Sequence, residues 1–218
     1  MGRQFDAVIF DLDGTLADTL EDLSDAMNAS LRDLGQPVHS VAMYRKMVGA
    51  GVANLARSAL PPDREDLLEQ ALAGFRSHYS AHIADTSRPY PGIPELLDAL
   101  TGRGLKRAIL SNKVDAMTKR IGELCFGRWT FDVIYGERSG VPRKPDPTSA
   151  LEIAALLKVA PGRTVFVGDT AIDMKTAANA GMYGVGVRWG FRSEELEPAG
   201  AKAIISSPLE LLSVLDAG

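Results

Sequence analysis

Residues 8–19 read VIFDLDGTLADT. The apolar run VIF has the character of a buried strand, and it leads straight into Asp11 and Asp13, with Leu12 between them and Gly14 and Thr15 following at once. Two carboxylates where a sheet ends are an electrostatic liability unless something positive meets them. Along extended backbone, positions two apart point the same way, so Asp11 and Asp13 can reach one ligand while Leu12 turns back to the core.

Outward from this stretch the chain divides. From about residue 92 onward, short apolar runs alternate with helix-length segments: RAIL (107–110), FDVIY (131–135), TVFVG (164–168) and YGVGV (183–187). That alternation predicts βαβ units and an α/β fold, a doubly wound, mostly parallel sheet covered on both faces. Asp146 before Pro147 reads as an N-cap with proline at the first helical position. Ser207, Pro208 and Glu210 read as a capping box, and Gly181 after TAANA as a C-cap. Residues 16–85 differ: no strand signal occurs, and apolar residues recur at helical spacing, as in Leu20, Leu23, Met27, Leu31 and Leu34, and again in Leu67, Leu68, Ala71, Leu72, Phe75 and Tyr79. The predicted organisation is a catalytic core of residues 1–15 and 86–218 interrupted by an inserted all-helical unit, 16–85.

The 218 residues, 45% hydrophobic and 24% charged with net charge -4, describe a globular chain with a sizeable core. Its 24 Lys and Arg are scattered, which predicts a small-molecule partner and no nucleic acid. The single cysteine, Cys125, forbids an internal disulfide, fits a reducing compartment and reads as a small buried hydrophobe. No run of about 18 apolar residues occurs, so no membrane partner and a cytoplasmic location are expected.

The predicted strand ends carry the chemistry. Asp11 and Asp13 follow VIF, Ser111 and Asn112 follow RAIL, Asp169 and Asp173 follow TVFVG, and Lys144 lies in RKPDP ahead of a helix. Singly, each has another reading: Asp13 as an Asx-turn residue, Ser111 as an N-cap, Asp173 as an acid in a first helical turn. Together they would crowd one sheet edge, where each close pair of carboxylates repels by about 4 kcal/mol at an effective dielectric of 20. Lys144 alone does not offset that. A hard divalent cation does, and Mg²⁺ takes one or two carboxylates while leaving positions for water and substrate phosphate. Asp11 and Asp169 are the first ligand candidates. Lys144, the Ser111 hydroxyl and backbone N–H groups around Leu12 to Gly14 would meet the phosphate. One carboxylate could then act as nucleophile and a second as general acid and base.

DLDGTL (11–16), Ser111 with Asn112, Lys144 in KPDP and GDTAIDM (168–174) resemble, in order and spacing, the four motifs of the haloacid dehalogenase-like superfamily. YPGIPELLDAL (90–100), the helical insert and WGFRSEELEPAGAKAII (189–205) resemble its phosphoglycolate phosphatase-like branch. The resemblance implies a Rossmannoid core with a helical cap that sets specificity. It implies Asp11 as nucleophile and Asp13 as the acid and base that protonates the leaving alcohol and then activates water. Mg²⁺ would be held by Asp11, Asp169 and the Asp13 carbonyl with support from Asp173. Ser111, Asn112 and Lys144 would lie at the phosphoryl group, and Thr15 would steady the loop. The implied reaction is hydrolysis of a small phosphomonoester, 2-phosphoglycolate foremost, by a monomer or homodimer.

Asp13 argues against the dehalogenases, which lack that acid, and against phosphonate hydrolases, which replace it with a small residue. Inorganic pyrophosphatase and sugar phosphomutase remain alternatives, with Thr15 favouring hydrolysis. From another class, receiver domains also phosphorylate an Asp beside acids, Mg²⁺ and a Lys, but no helical insert follows their first strand. In the cap, Gly49 and Gly51 before a helix, with Arg45 and Lys46 upstream, could form an anion site for a substrate carboxylate, or simply join two helices beside a solvated face. His39, His78 and His82 read as ordinary cap histidines, Trp129 and Trp189 as packing, and Arg188 and Arg192 as surface charges.

Overall fold

The computed structural model describes residues 5–217. Strand β1 (Ala7–Phe10) lies inside a six-stranded sheet of order β5-β4-β1-β6-β7-β8, formed with β4 (Lys106–Val114), β5 (Val133–Glu137), β6 (Thr164–Gly168), β7 (Tyr183–Val187) and β8 (Ala203–Ile205). Every pairing is parallel, with Phe10 opposite Ile109 on one side and Val167 on the other. Helices α5 (Ile93–Gly102), α6 (Asp115–Phe126), α7 (Thr148–Leu157), α8 (Ala171–Asn179) and α9 (Glu210–Asp216) cover both faces. The period-two alternation of β1 explains the layers. Val8 and Phe10 pack with α5, α6 and α9 on one face, while Ala7 and Ile9 pack with α7 and α8 on the other. Successive connections run outward from β1 to one edge and then return to the other, which puts a crevice at the carboxyl ends of β1, β4 and β6.

Between β1 and β4 the chain forms α1 (Leu20–Asp33), α2 (Val41–Met47), α3 (Val52–Ala59) and α4 (Leu68–Ala81). These helices share a core of their own, in which Leu23, Met27 and Leu31 of α1 meet Leu72, Phe75 and Tyr79 of α4. A two-stranded ribbon joins this unit to the sheet, β2 (Ala17–Asp18) against β3 (Arg88–Pro89), antiparallel. The strand in β2 is a correction to the reading of 16–85 as wholly helical; a two-residue strand is too short to carry a periodicity. Strand β8 was likewise not anticipated.

Helix starts shift by one or two residues from expectation. Helix α7 begins at Thr148, after Pro147, and Asp146 accepts the Thr148 N–H at 2.9 Å. Ser207 and Glu210 do pair at 3.1 Å, yet regular helix starts only at Glu210. Gly181 follows α8 with φ 67°, as a C-terminal stop requires. Cys125 is half-buried and unpaired, its thiol pushed upward by burial. Among the described residues no helix is long and apolar enough to cross a membrane.

The ribbon is clasped by one residue. Asp22, on the first turn of α1 and 6% exposed, accepts from the N–H and hydroxyl of both Thr86 and Ser87, at 2.5 to 2.9 Å. Burial alone would raise its pKa, but these four donors hold the carboxyl below the ordinary aspartate value. The sign follows: a lowered folded-state pKa contributes stability present above the unfolded-state value of about 3.9 and lost as pH falls through the folded value. Asp22→Ala is expected to cost about 2–4 kcal/mol in urea unfolding at pH 7, because it strands four donors. That difference should shrink on acidification toward pH 3; a cost independent of pH would show that the carboxylate charge is not what holds the ribbon.

Candidate active site

The loop after β1 sets out the site. Asp11 leaves the strand with both of its described contacts on Oδ1, from the Leu12 N–H at 2.7 Å and from Lys144 Nζ at 2.9 Å. Leu12 is fully buried in the core, as its alternation demands. Asp13 then faces a different set of partners: Thr19 donates its hydroxyl to Oδ1 at 2.6 Å, and Lys113 Nζ lies 2.9 and 3.0 Å from the two carboxylate oxygens. Gly14 stands at φ +83°, and a Cβ there would fall 2.4 Å from Asp169 Oδ2, so the turn tolerates no side chain. The Leu12 and Gly14 N–H groups are committed within the loop, to Asp11 and to the Ala17 carbonyl, which removes two of the backbone donors expected for a phosphate.

The β6–α8 connection supplies the opposing wall. Asp169 is fully buried and accepts from the Phe191 N–H at 2.7 Å and the Thr15 hydroxyl at 3.3 Å. Asp173 closes a capping box with Thr170 and takes Lys144 Nζ on its other oxygen at 2.7 Å. Lys144 thus bridges Asp11 and Asp173. Its backbone N–H donates to Asn112 Oδ1 at 2.9 Å, and Asn112 Nδ2 donates to the Lys144 carbonyl at 3.1 Å and to the Gly49 carbonyl at 3.2 Å. Asn112 is therefore a bracket that fixes Lys144 and touches the helical unit. Ser111 precedes Asn112 and lines the cleft, its Oγ accepting the Lys113 N–H at 3.2 Å.

Asp11, Asp169 and Asp173 are buried together, each offering an oxygen within 4.8 Å of the others. Burial pushes the Asp11 carboxyl up to about 7 against the pull of Lys144, with Asp173 and Asp13 adding to the rise. Burial, Asp173 and Asp11 raise Asp169 well above the usual aspartate range. Burial opposes the charge of Lys144, yet Asp11 and Asp173 together hold it above the ordinary lysine range. Three hard oxygen donors gathered out of water, two of which, Asp11 and Asp169, burial makes reluctant to ionise, fit a divalent cation.

A cleft with an internal volume of about 40 Å³ opens onto both acids. Asp11, Asp13, Ser111, Asn112 and Lys113 form its floor, and Leu23, Val48, Val52, Leu55, Phe75 and Tyr79 of the helical unit form an apolar roof. Gly49 and Gly51 line it. Arg45 does not: it is exposed and donates to the Gly190 carbonyl at 3.3 Å, across the joint between the helices and the sheet. Lys46 is exposed as well. His39 Nε2 donates to the Ala59 carbonyl, while His78 and His82 pair with Asp33 and Asp85. Trp129 packs half-buried; Trp189 also donates to the Thr15 carbonyl at 3.0 Å, so it steadies the first loop. Arg188 is exposed as expected, but Arg192 turns inward, with Nε and Nη2 buried and Nη1 3.7 Å from Glu195.

Sequence reasoning missed Lys113 and Thr19. Lys113 follows the Ser111–Asn112 pair directly, and a β4 that continues to Val114 points it back at Asp13; reading the strand as ending at Leu110 hid that geometry. Lys113 is held above the ordinary lysine range by Asp13 and Tyr79 despite burial.

Comparison with known proteins gives a consistent result. Residues 5–181 match the haloacid dehalogenase-like hydrolase family model. The chain is 31% identical over 209 residues to a phosphoglycolate phosphatase of Aquifex aeolicus, covering 96% of each. It is 33% identical over 229 residues to an N-acetylmuramic acid 6-phosphate phosphatase of Pseudomonas aeruginosa, covering 96% of this chain and 94% of that one. The structure superposes with TM-score 0.81 on CbbY from Rhodobacter sphaeroides solved in complex with phosphate, at 26% identity, covering 97% of this chain and 99% of that one.

The raised pKa of Asp11 has a measurable consequence. Between the unfolded-state value near 3.9 and the folded value near 7, the native protein holds a proton that the unfolded chain has lost, so stability falls as pH rises, by about 1.4 kcal/mol per unit for one such group. The metal-free protein is expected to lose thermal stability from pH 5 to 8, and Mg²⁺ to restore it most at the alkaline end. Asp11→Asn should flatten the slope; an unchanged slope in that variant would place the titration elsewhere.

Proposed function

Because the chain belongs to the haloacid dehalogenase-like hydrolases, in their phosphoglycolate phosphatase-like branch, it is a phosphoric monoester hydrolase, and we propose that it is a Mg²⁺-dependent phosphatase that works through a phosphoryl-Asp11 intermediate. The observation that carries this reading is the pairing of Asp11 and Asp13 on one cleft with separate partners, Asp11 on Lys144 and Asp13 on Lys113 and Thr19.

Asp11 Oδ2, the oxygen left clear of Leu12 and Lys144, attacks phosphorus. As the bond to the ester oxygen breaks, Asp13 delivers its proton to the departing alkoxide. Asp13, now a carboxylate, takes a proton from water, whose oxygen attacks the same phosphorus; inorganic phosphate leaves and Asp11 is restored. Lys144 and the Ser111 hydroxyl bind the phosphoryl oxygens. Asp11, Asp169 and the Asp13 carbonyl, with Asp173 behind them, would hold the cation, which when bound offsets the charge of nucleophile and phosphoryl group. Thr15 and Trp189 keep the loop in place.

Residues 16–85 act as the cap, closing on the core of 1–15 and 86–218 to exclude water, with movement at 16–19 and 86–91. Asn112 to Gly49, Arg143 to Ala50 and Arg45 to Gly190 are the polar contacts across the closed joint. We assign Arg45 to this latch rather than to substrate. The substrate is a small phosphomonoester: a cleft of about 40 Å³ roofed by apolar side chains suits a compact ester such as 2-phosphoglycolate better than a muramic acid phosphate. A single cysteine suits a cytoplasmic setting.

A phosphate-release assay with Mg²⁺ across small phosphomonoesters, pyrophosphate and sugar phosphates tests the reading. Turnover should be highest with 2-phosphoglycolate, vanish in Asp11→Asn and in excess chelator, and fall about 10²–10⁴-fold in Asp13→Asn. Substantial release in excess chelator would sink the mechanism.

A further inference from the structure

The apolar roof of the cleft has one polar interruption. Tyr79, on α4, is fully buried, stacks on Phe75 with centroids 5.3 Å apart, and lines the cleft, yet its hydroxyl has no hydrogen-bond partner. A buried hydroxyl left without a partner costs stability, so native structures seldom keep one. Beside it stands Lys113, whose Nζ lies 4.8 Å from the Tyr79 ring centroid. Two of the ammonium's three N–H groups are taken by the Asp13 oxygens, which leaves one, on the side of Tyr79. Lys113 is also the only cation among the lining residues. The other lining residues that the helical unit contributes are apolar or glycine.

The chemistry of the pair is specific. Ser111 and Lys144 lie at the phosphoryl end, where the proposed reaction occurs, so the remaining ligand atoms must face Tyr79, Lys113 and hydrocarbon. A neutral alkyl leaving group would leave the Tyr79 hydroxyl unpaired, whereas an anionic oxygen would accept from it and lie next to the ammonium. Resting on the phosphatase reading above, we propose that the Tyr79 hydroxyl and the free N–H of Lys113 bind a carboxylate on the leaving group, making Tyr79 the cap residue that selects phosphorylated 2-hydroxy acids over neutral alkyl phosphates.

The test compares 2-phosphoglycolate with ethyl phosphate, an ester of similar size without the carboxylate. In wild type, kcat/KM should favour 2-phosphoglycolate, and Tyr79→Phe should reduce that ratio roughly 10- to 100-fold, the loss of one hydrogen bond to a charged acceptor. The free Tyr79→Phe protein should melt at the same temperature or higher, since an unsatisfied hydroxyl has been removed. Calorimetry separates this inference from the phosphatase reading: with turnover blocked, Asp11→Asn should bind 2-phosphoglycolate more tightly than ethyl phosphate, and Asp11→Asn/Tyr79→Phe should lose that preference. If wild type releases no phosphate from either ester, the phosphatase reading fails while the binding comparison still decides the role of Tyr79. A parallel fall for both esters, an unchanged ratio, a lowered melting temperature, or no preference in Asp11→Asn overturns the inference.

Discussion

Everything at this site follows from negative charge forced together out of water. Asp11, Asp13, Asp169 and Asp173 gather at the carboxyl ends of two adjacent strands, and among the described residues Lys113 and Lys144 are the cations that pair with them. Four carboxylates against two ammoniums leave a deficit of two charges. At about 4 kcal/mol for each close pair at an effective dielectric of 20, the repulsion would consume much of the stability of a domain this size. The raised pKa values of Asp11 and Asp169 are the protein's partial answer, since protonation relieves the field. A divalent cation answers it fully, and the deficit matches its charge.

The sheet makes such crowding affordable because it is rigid where the acids are anchored. β1 is buried on both faces and paired on both edges, so Asp11 cannot retreat from Asp169 without breaking parallel ladders. Asn112 and the Thr170–Asp173 capping box do the same for Lys144 and Asp173 by hydrogen bonds from neighbouring loops. Electrostatic strain is thereby held in a preformed constellation that a cation relieves on binding, which is the condition for electrostatic stabilisation of a reaction.

Much of this was legible in residue order. TVFVG and YGVGV coincide with β6 and β7, because a strand buried on both faces in a parallel sheet must be apolar throughout. The buried positions of α1 and α4 follow helical spacing for the same reason. What escaped was set by partners distant in sequence. The ribbon of β2 and β3 has no signature of its own and exists because Asp22 ties residues more than sixty positions away. Lys113 was invisible as a partner of Asp13 because its role depends on β4 running past Leu110, and Arg192 looked like a surface charge because nothing local turns it inward. Gly49 and Gly51 do line the cleft, while Arg45, nearby in sequence, faces the joint instead.

The two acids of DLDGTL differ in what completes them, and the division falls along the boundary between sheet and helices. The neighbours of Asp11 are Lys144 and Asp173, both in the α/β layer, so its charged partners come from the sheet side of the boundary. Asp13 instead takes a hydrogen bond from Thr19 at the foot of α1, and its cation Lys113 lies against Tyr79 of α4. Moving the helices away would strip Thr19 and Tyr79 from the acid–lysine pair while leaving Asp11 untouched. In the proposed mechanism, a phosphoryl-Asp11 formed beneath an open roof would be exposed to water with no positioned base; formed beneath a closed one, it would meet Asp13 with its partners in place. In the proposed mechanism, inserting the helical unit directly after the second aspartate would couple closure to proton transfer rather than to attack.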